Sequence, residues 1–186
     1  MVNRESDEWV YWLKLFIIAL LFALIVRKFI FSPIIVDGPS MQPTLFDRDQ
    51  MIVNKFVYHF KEPDRFDIVI FHATDEKDFI KRVVGLPGEH VAVKDNQLYI
   101  NHEKIEQPFL EPHADNQVVY PVLTDDFTLE EISGYDVIPE GRILVLGDNR
   151  NNSTDSRIIG LVDLDQVVGK TSLVYWPLDR MHVLTE

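Results

Sequence analysis

Residues 66–88 read FDIVIFHATDEKDFIKRVVGLPG, and this stretch decides the fold class. Phe66–Phe71 and Phe79–Val84 are largely apolar and rich in β-branched side chains, and Gly85–Gly88 follows them as a turn signal. Short runs of this composition that end at glycine and proline predict β-strands.

Similar runs recur along the chain. His90–Val93 and Gln97–Ile100 flank Lys94–Asn96, which predicts a hairpin. Ile143–Leu146 and Val167–Trp176 are further strand-like runs. Short strands joined by Gly, Pro and Asn turns predict a mainly β fold, a barrel or a sandwich, rather than βαβ units.

Residues 111–140 interrupt this pattern. They hold eight acidic side chains and no lysine or arginine, together with Pro112 and Pro121. Because a run of like charge is usually solvated, we expect an excursion from the sheet and not a site.

The composition indicates one folded domain and excludes several classes of function. The chain has 186 residues, of which 46% are hydrophobic and 26% charged, so it can bury a core. Its formal net charge of −12 disfavours binding to nucleic acid, because phosphates would be repelled. The absence of cysteine excludes disulfides, thiolate metal sites and a cysteine nucleophile.

The N-terminal segment predicts a membrane span. Trp9–Val26 is an apolar stretch whose only charge is Lys14, and Phe29–Phe31 extends it beyond Arg27 and Lys28. A helix of this length spans about 27 Å, close to the ~30 Å apolar core of a lipid bilayer. We therefore predict an N-terminal segment, a transmembrane helix and one domain outside the bilayer, over residues 1–8, 9–31 and 32–186.

Two other interpretations of this segment stay open. A cleaved signal peptide begins with positive charge, whereas here Glu5, Asp7 and Glu8 surround Arg4. A buried core helix has a polar face, whereas this segment is apolar all round. The lysine and arginine counts on its two sides are balanced, so the positive-inside rule does not decide the orientation.

Several kinds of chemistry lack their motifs. The sequence has no GxxxxGK[ST] or GxGxxG phosphate loop and no GxSxG elbow. The six histidines form no HExxH motif and no pair four residues apart, so we expect neither a metal nor another cofactor. A Ser-His-Asp triad stays possible, since its members can lie anywhere in the chain.

Three segments carry the candidate chemistry: Gly38–Leu45 (GPSMQPTL), Lys81–Glu89 (KRVVGLPGE) and Gly147–Arg157 (GDNRNNSTDSR). The first places Ser40 between turn formers, a few residues past the predicted membrane span. The second places Lys81 inside an apolar strand, and the third is a polar loop that follows a strand.

Lys81 has two interpretations. In an alternating strand it points to solvent and has no role in catalysis. Alternatively it is the general base of a Ser–Lys dyad, which requires a neutral amine. The unperturbed pKa of lysine is ~10.4, a base that works near neutrality needs ~7–8, and burial lowers a lysine pKa by this much. The apolar setting would come from Phe79, Ile80, Val83 and Val84 if Lys81 faces inward.

Together the three segments resemble the bacterial type I signal peptidases, the leader peptidases. They occur in the order typical of that family, the first lies just after an apolar helix, and the resemblance covers essentially the whole chain. The single predicted helix and the modest length resemble the Gram-positive form of the family.

The resemblance implies a role for individual residues. Ser40 is the nucleophile that forms an acyl-enzyme, and Lys81 is the general base that later protonates the leaving amine. Ser153 matches a serine that orients the lysine ammonium. A charged support of the site is implied for Arg82, Asp148, Asp155 and Arg157.

Gly38 departs from many relatives, which have a serine two residues before the nucleophile whose hydroxyl helps to bind the oxyanion. We expect the backbone of Ser40 and Gly38 to form the oxyanion hole here. Losing one oxyanion donor can slow an enzyme ~100- to 1,000-fold. Because Gly38 also occurs in Gram-positive relatives, it indicates a variant oxyanion hole and not an inactive protein.

The resemblance also implies topology and substrate. The N-terminus is expected in the cytoplasm and the catalytic domain outside the plasma membrane, where it cleaves signal peptides from Sec-exported preproteins. Shallow pockets that accept small residues at positions −1 and −3 explain the family's specificity. Our local candidates for these pockets are Ile35, Val36, Met41, Val83 and Val84.

Two alternatives of other classes stay open. One is an inactive homologue, an anchored β-domain that binds exported peptides without cutting them. The other is a self-cleaving Ser–Lys protease of the repressor type, which would carry a DNA-binding segment in place of the apolar helix.

Overall fold

The computed structural model describes residues 4–29, 31–74, 76–110 and 123–184. The helices are α1 (Arg4–Phe29), α2 (Leu129–Ser133) and α3 (Ser156–Ile159). The strands, in chain order, are β1 (Phe31–Ile35), β2 (Gln50–Asn54), β3 (Ile68–Thr74), β4 (Lys77–Gly85), β5 (Val91–Lys94), β6 (Gln97–Ile100), β7 (Glu103–Ile105), β8 (Phe127–Thr128), β9 (Arg142–Leu146), β10 (Val162–Asp163), β11 (Val167–Trp176) and β12 (His182–Val183).

The strands form two antiparallel sheets in the described part of the chain. The larger sheet has the order β1-β2-β11-β3-β4-β9-β10, and β12 pairs with β11. The smaller sheet has the order β7-β6-β5-β8. The prediction of a mainly β fold without βαβ units is confirmed.

Two hairpins follow directly from local sequence. The two apolar runs of residues 66–88 become β3 and β4, which pair with Val69 opposite Lys81. The predicted hairpin of β5 and β6 turns through Asp95 and Asn96, whose φ angles are 49° and 62°. Two consecutive left-handed residues give a two-residue turn whose twist matches the strands, and Asp and Asn tolerate this conformation.

The continuous apolar run in β3 reflects a sheet that is covered on both faces. Ile68 and Ile70 belong to one buried cluster, whereas Val69 and Phe71 belong to another. Because successive side chains of a strand point to opposite faces, a strand buried on both faces needs apolar residues at every position.

The solvated excursion expected for residues 111–140 is wrong for the portion that the structure describes. Residues 111–122 lie outside the described residues. Residues 123–140 contribute β8 and α2, and Phe127, Leu129 and Ile138 are buried against the smaller sheet. The acidic side chains occupy the exposed positions between these apolar anchors, so charge alone was a poor guide to burial.

α1 is a continuous helix, and apolar side chains such as Trp9, Phe16 and Phe22 are more than half exposed on it. Where side chains are described, no helix is both long enough and apolar enough to cross a membrane. The membrane span over residues 9–31 stays a prediction.

Candidate active site

Ser40 and Lys81 meet beside β4, an interior strand of the larger sheet. Ser40 lies in the turn between β1 and β2, and Lys81 lies in the middle of β4. The Lys81 Nζ atom is 2.9 Å from Ser40 Oγ, which is hydrogen-bond distance. Only 4% of Lys81 is exposed, so the solvent-facing interpretation of this lysine is wrong.

The surroundings of Lys81 favour the neutral amine. Burial lowers its pKa to about 8, and the more distant charges of Asp155 and Asp148 offset only part of this effect. The Lys81 ammonium also donates to the Ile80 carbonyl at 2.9 Å and lies 5.1 Å from the centre of the Phe79 ring. No carboxylate contacts Lys81 among the described residues, so its neutral form is far more accessible near neutral pH than that of an ordinary lysine, although the ammonium still predominates.

The Gly147–Arg157 loop holds the Ser40 turn from the side. The Asn149 N–H donates to the Ser40 carbonyl at 3.0 Å, and Asn149 Nδ2 donates to the Pro39 carbonyl at 3.2 Å. A Cβ atom at Gly147 would lie 2.5 Å from the Ser40 carbonyl oxygen and would also overlap Ser153. Position 147 therefore requires glycine, because the backbone of the Ser40 turn lies against it.

Arg82 and Asp148 form a buried ion pair behind this turn. Arg82 Nε and Nη2 donate to the two carboxylate oxygens of Asp148 at 2.9 and 2.6 Å. The Thr44 hydroxyl donates to the same carboxylate, and Arg82 Nη1 donates to the Phe66 carbonyl. This two-bond pairing ties β4, the 147–157 loop and the Ser40 turn together.

Asp155 and Arg157 form a second ion pair. Arg157 Nε and Nη2 both donate to the Asp155 carboxylate at 2.8 Å, and the Gly147 N–H donates to it at 3.0 Å. The pKa of Asp155 is lowered, because these hydrogen bonds outweigh the effect of its burial. The four charged residues singled out in the sequence thus lie in two pairs, on either side of Gly147.

Arg150 is a buried residue that sequence reasoning missed. It donates to the Gly147 carbonyl, to the Thr124 hydroxyl and to the Gln107 amide oxygen. Burial lowers its pKa to about 10, so it still carries its charge near neutrality. Its place in the GDNR segment was the available signal, since three polar residues follow a glycine there, directly after a buried strand.

Ser153 is in the site but does not contact Lys81 by a hydrogen bond. Its hydroxyl is buried and makes no hydrogen bond of standard geometry to a described residue, but it lies close enough to Asp155 to help lower the pKa of that carboxyl. It lies beside Gly147, in the space that a larger residue at that position would need. The role of Ser153 in orienting the lysine stays a prediction.

The Gly38 N–H is not free to bind an oxyanion in this structure. Gly38 has a φ of 90° and its N–H donates to Asp47 Oδ1 at 2.9 Å. Gly38 therefore does not offer its N–H to the predicted backbone oxyanion hole in this structure, and Pro39 has no N–H. The oxyanion role of the Ser40 N–H stays a prediction. No hydrogen bond within the described ranges engages that Ser40 N–H.

A groove of about 480 Å³ opens beside the dyad. Of the predicted pocket residues, Ile35, Val36 and Met41 line it. Val83 and Val84 do not, because β4 runs from the groove into the interior and is buried from Lys81 onward. Lining residues that the prediction lacked are Ile34, Ile70, Asp78, Phe79, Ile80, Asn152 and Thr154.

The described side chains include no cluster of three or more His, Asp or Glu residues arranged to hold a metal ion.

Known proteins resemble this chain in sequence. The chain is 44% identical over 178 residues to signal peptidase I of Bacillus caldolyticus, covering 96% of this chain and 94% of that protein. It is 38% identical over 183 residues to signal peptidase IB of Staphylococcus aureus, covering 96% and 94%.

A solved structure also resembles this chain. The crystal structure of a signal peptidase I from Enterococcus faecalis matches with a TM-score of 0.51 and 39% identity, over 59% of this chain and 97% of that one. A sequence profile of the family described as signal peptidase, peptidase S26, matches residues 9–176. On these grounds the chain belongs to the signal peptidase family, peptidase S26.

Proposed function

We propose that this protein removes N-terminal signal peptides from exported preproteins by hydrolysing one peptide bond, with Ser40 as nucleophile and Lys81 as general base. The observation that carries the proposal is the 2.9 Å approach of a buried lysine to a serine hydroxyl at the end of a groove. Serine needs an adjacent base to become a nucleophile, and a buried lysine is one of the few bases suited to the task.

The reaction begins with transfer of the Ser40 hydroxyl proton to Lys81 Nζ. Ser40 Oγ bonds to the scissile carbonyl carbon, and the carbonyl electron pair moves to its oxygen, which the Ser40 N–H faces. Lys81 then gives the proton to the leaving amine, and the carbon–nitrogen bond breaks. A water molecule hydrolyses the acyl-enzyme with the same base, which releases the signal peptide.

Two carboxylates that do not contact Lys81 stabilise the ammonium that forms when it takes up the proton. Asp155 and Asp148 raise the pKa of Lys81, in opposition to its burial. Each carboxylate is paired with its own arginine, so neither captures the lysine ammonium. The lysine can therefore accept a proton during attack and release it again near neutral pH.

The groove supports selection of small side chains. An extended peptide directs alternate side chains to one side, so residues −1 and −3 would enter the groove together. Ile34, Val36, Ile70 and Met41 give it apolar walls. We propose that these walls accept alanine-sized residues at −1 and −3 and reject larger ones by overlap.

We also propose that residues 9–31 anchor the protein in the plasma membrane, with the N-terminus in the cytoplasm and the catalytic domain outside. The support is the apolar sequence of this segment and the exposure of its apolar side chains on α1. An anchored enzyme and a membrane-bound preprotein meet in two dimensions, which raises their effective concentration.

The test is cleavage of a preprotein with an Ala-x-Ala site in liposomes, by wild type, Ser40→Ala and Lys81→Ala. We expect wild type to cut after the second alanine and both variants to be folded by circular dichroism but inactive. Residual activity of Lys81→Ala alone would show that another base serves Ser40. Extraction of the membranes at high pH tests the anchor, since an integral protein stays in the pellet.

A second candidate function is an inactive homologue that binds exported peptides. The observation that favours it is the engagement of the Gly38 N–H by Asp47, which removes one of the two predicted backbone donors of the oxyanion hole. The same assay separates the two: a binder would retain the preprotein without cleaving it.

A further inference from the structure

Asn149 contacts two consecutive carbonyls of the nucleophile turn. Its backbone N–H donates to the Ser40 carbonyl at 3.0 Å, and its side-chain Nδ2 donates to the Pro39 carbonyl at 3.2 Å. Asn149 is itself held in place, because the preceding Asp148 is fully buried and bonded to Arg82. Because its backbone is held in this way, the side chain of Asn149 keeps a fixed position beside the Ser40 turn.

The contact with Pro39 fixes the direction of a neighbouring donor. The carbonyl of Pro39 and the N–H of Ser40 belong to one peptide unit, which is planar and is not among the cis bonds of the chain. In a trans unit the two groups point in opposite directions. The Gln42 N–H also donates to the Pro39 carbonyl, at 3.1 Å, so Asn149 adds a second hydrogen bond to a carbonyl that the turn itself begins to orient. Holding the Pro39 carbonyl on one side aims the Ser40 N–H to the other side.

This direction matters because neither of the two residues that precede Ser40 offers a free N–H. Pro39 lacks an N–H, and the Gly38 N–H is bonded to Asp47. The Ser40 N–H is left to meet the negative oxygen that forms during attack. A preorganised donor stabilises such an oxygen far more than one that must rotate into place.

We propose that Asn149 is a positioning residue that aims the Ser40 N–H at the oxyanion through the Pro39–Ser40 peptide plane. The proposal rests on the function proposed above. It predicts that the Asn149 amide acts on the transition state, and neither on peptide binding nor on the basicity of Lys81.

The first experiment compares Asn149→Ala with wild type in cleavage of an Ala-x-Ala peptide. Asn151→Ala is the matched control, since Asn151 is an exposed asparagine of the same loop. We expect kcat to fall about tenfold in Asn149→Ala, less than for complete loss of an oxyanion donor. KM should stay within about twofold, and the pH midpoint of kcat should not move.

The second experiment measures binding of a peptide aldehyde and of the matching peptide alcohol. Ser40 Oγ adds to the aldehyde carbon, its proton passes to Lys81, and the carbonyl electron pair moves to the oxygen, which becomes the oxyanion. The alcohol has no carbonyl and forms no such adduct. We expect the preference for aldehyde over alcohol to fall about tenfold in Asn149→Ala.

This ratio does not depend on the folded fraction of a preparation, so it stays informative if the variant is unstable. Asn149→Asp provides a second variant, because a carboxylate oxygen would repel the Pro39 carbonyl instead of bonding to it. We expect its aldehyde preference to fall at least as far.

The outcomes separate this inference from the function on which it rests. If wild type cleaves, Ser40→Ala does not, and Asn149→Ala keeps the wild-type kcat and aldehyde preference, Asn149 has no positioning role. An equal loss of aldehyde and alcohol binding would also overturn the inference, since it indicates a general change of the groove. A wild type that neither cleaves nor binds the aldehyde covalently would overturn the proposed function as well.

Discussion

Lys81 and Arg82 are neighbours on β4 and are both buried, but the two faces of the strand surround them differently. On one face Lys81 donates to the Ser40 hydroxyl and the Ile80 carbonyl and has no carboxylate partner among the described residues, and burial lowers its pKa to about 8. On the other face Arg82 donates to both oxygens of Asp148. Lys81 thus lacks a carboxylate partner on its face, whereas Arg82 is paired with one.

The difference fits the proposed roles, Lys81 as a base and Arg82 as a structural support. The lowering of the Lys81 pKa from 10.5 to about 8 corresponds to about 3 kcal/mol of destabilised ammonium. A carboxylate beside Lys81 would remove this penalty, but it would also keep the amine protonated and inactive. Arg82 has no proton to exchange, so pairing it with Asp148 simply anchors the Ser40 turn.

Lys81→Met removes the buried cation that has no carboxylate partner, and it should have the largest effect. Loss of the base should lower kcat/KM by about 10²- to 10⁴-fold. The same change should raise the free energy of unfolding at pH 7, by up to about 3 kcal/mol, because the buried ammonium is gone. Peptide cleavage and urea unfolding measure the two effects.

The pH dependence of this stabilisation supplies the control. Below pH 8 the wild-type lysine is charged in the folded and the unfolded state, so the full penalty applies. Between about 8 and 10.5 the unfolded state holds more protons, and wild type gains stability as the pH rises. A stability difference that is constant from pH 7 to pH 10.5 would contradict this account.

Arg82→Met removes the cation of the buried ion pair with Asp148. It leaves Asp148 buried without its partner, so we expect the free energy of unfolding to fall by about 3–5 kcal/mol. Arg142→Met is the matched control, because its pair with Asp163 is largely exposed and should contribute less than about 1 kcal/mol. If urea unfolding shows similar losses of stability in the two variants, the buried ion pair contributes no more to stability than the exposed one.

Gly147→Ala tests the contact between the 147–157 loop and the Ser40 turn. The added methyl group would press on the Ser40 carbonyl and on Ser153, so we expect a loss of about 1–3 kcal/mol and a lower kcat. Gly141→Ala is the control, since a Cβ there meets no atom within 4 Å although its φ of 78° is strained. Retention of wild-type kcat by Gly147→Ala would mean that the turn can move without loss of function.

Asp155→Asn should have the smallest effect of these variants, and it tests how a carboxylate at a distance changes the pKa of Lys81. In wild type kcat/KM should rise with pH and level off above about 8, as Lys81 loses its proton. Because Asp155 raises the pKa of Lys81, its neutral replacement should move this midpoint to lower pH, by less than about one unit. A midpoint that shifts upward, in a pH–rate profile on a short peptide, would refute the assigned direction.

Several features could be predicted because they depend on neighbouring residues. The β3–β4 and β5–β6 hairpins follow from apolar runs and turn residues that are local in sequence. The Ser40, Lys81 and 147–157 segments were recognisable because a catalytic group needs a fixed local backbone, which leaves a motif. Charge, by contrast, misled for residues 123–140, where a few apolar anchors decide burial.

By itself the sequence determined the strands, the turns and the identity of the reactive groups, since each is encoded in a few adjacent residues. Only the tertiary structure decided which N–H groups stay free and which cations stay unpaired. Asp47 engages the Gly38 N–H, and Asn149 reaches Pro39 across 110 residues of chain. Such contacts depend on how separate elements pack, and burial, which sets the pKa of Lys81, exists only once they have packed.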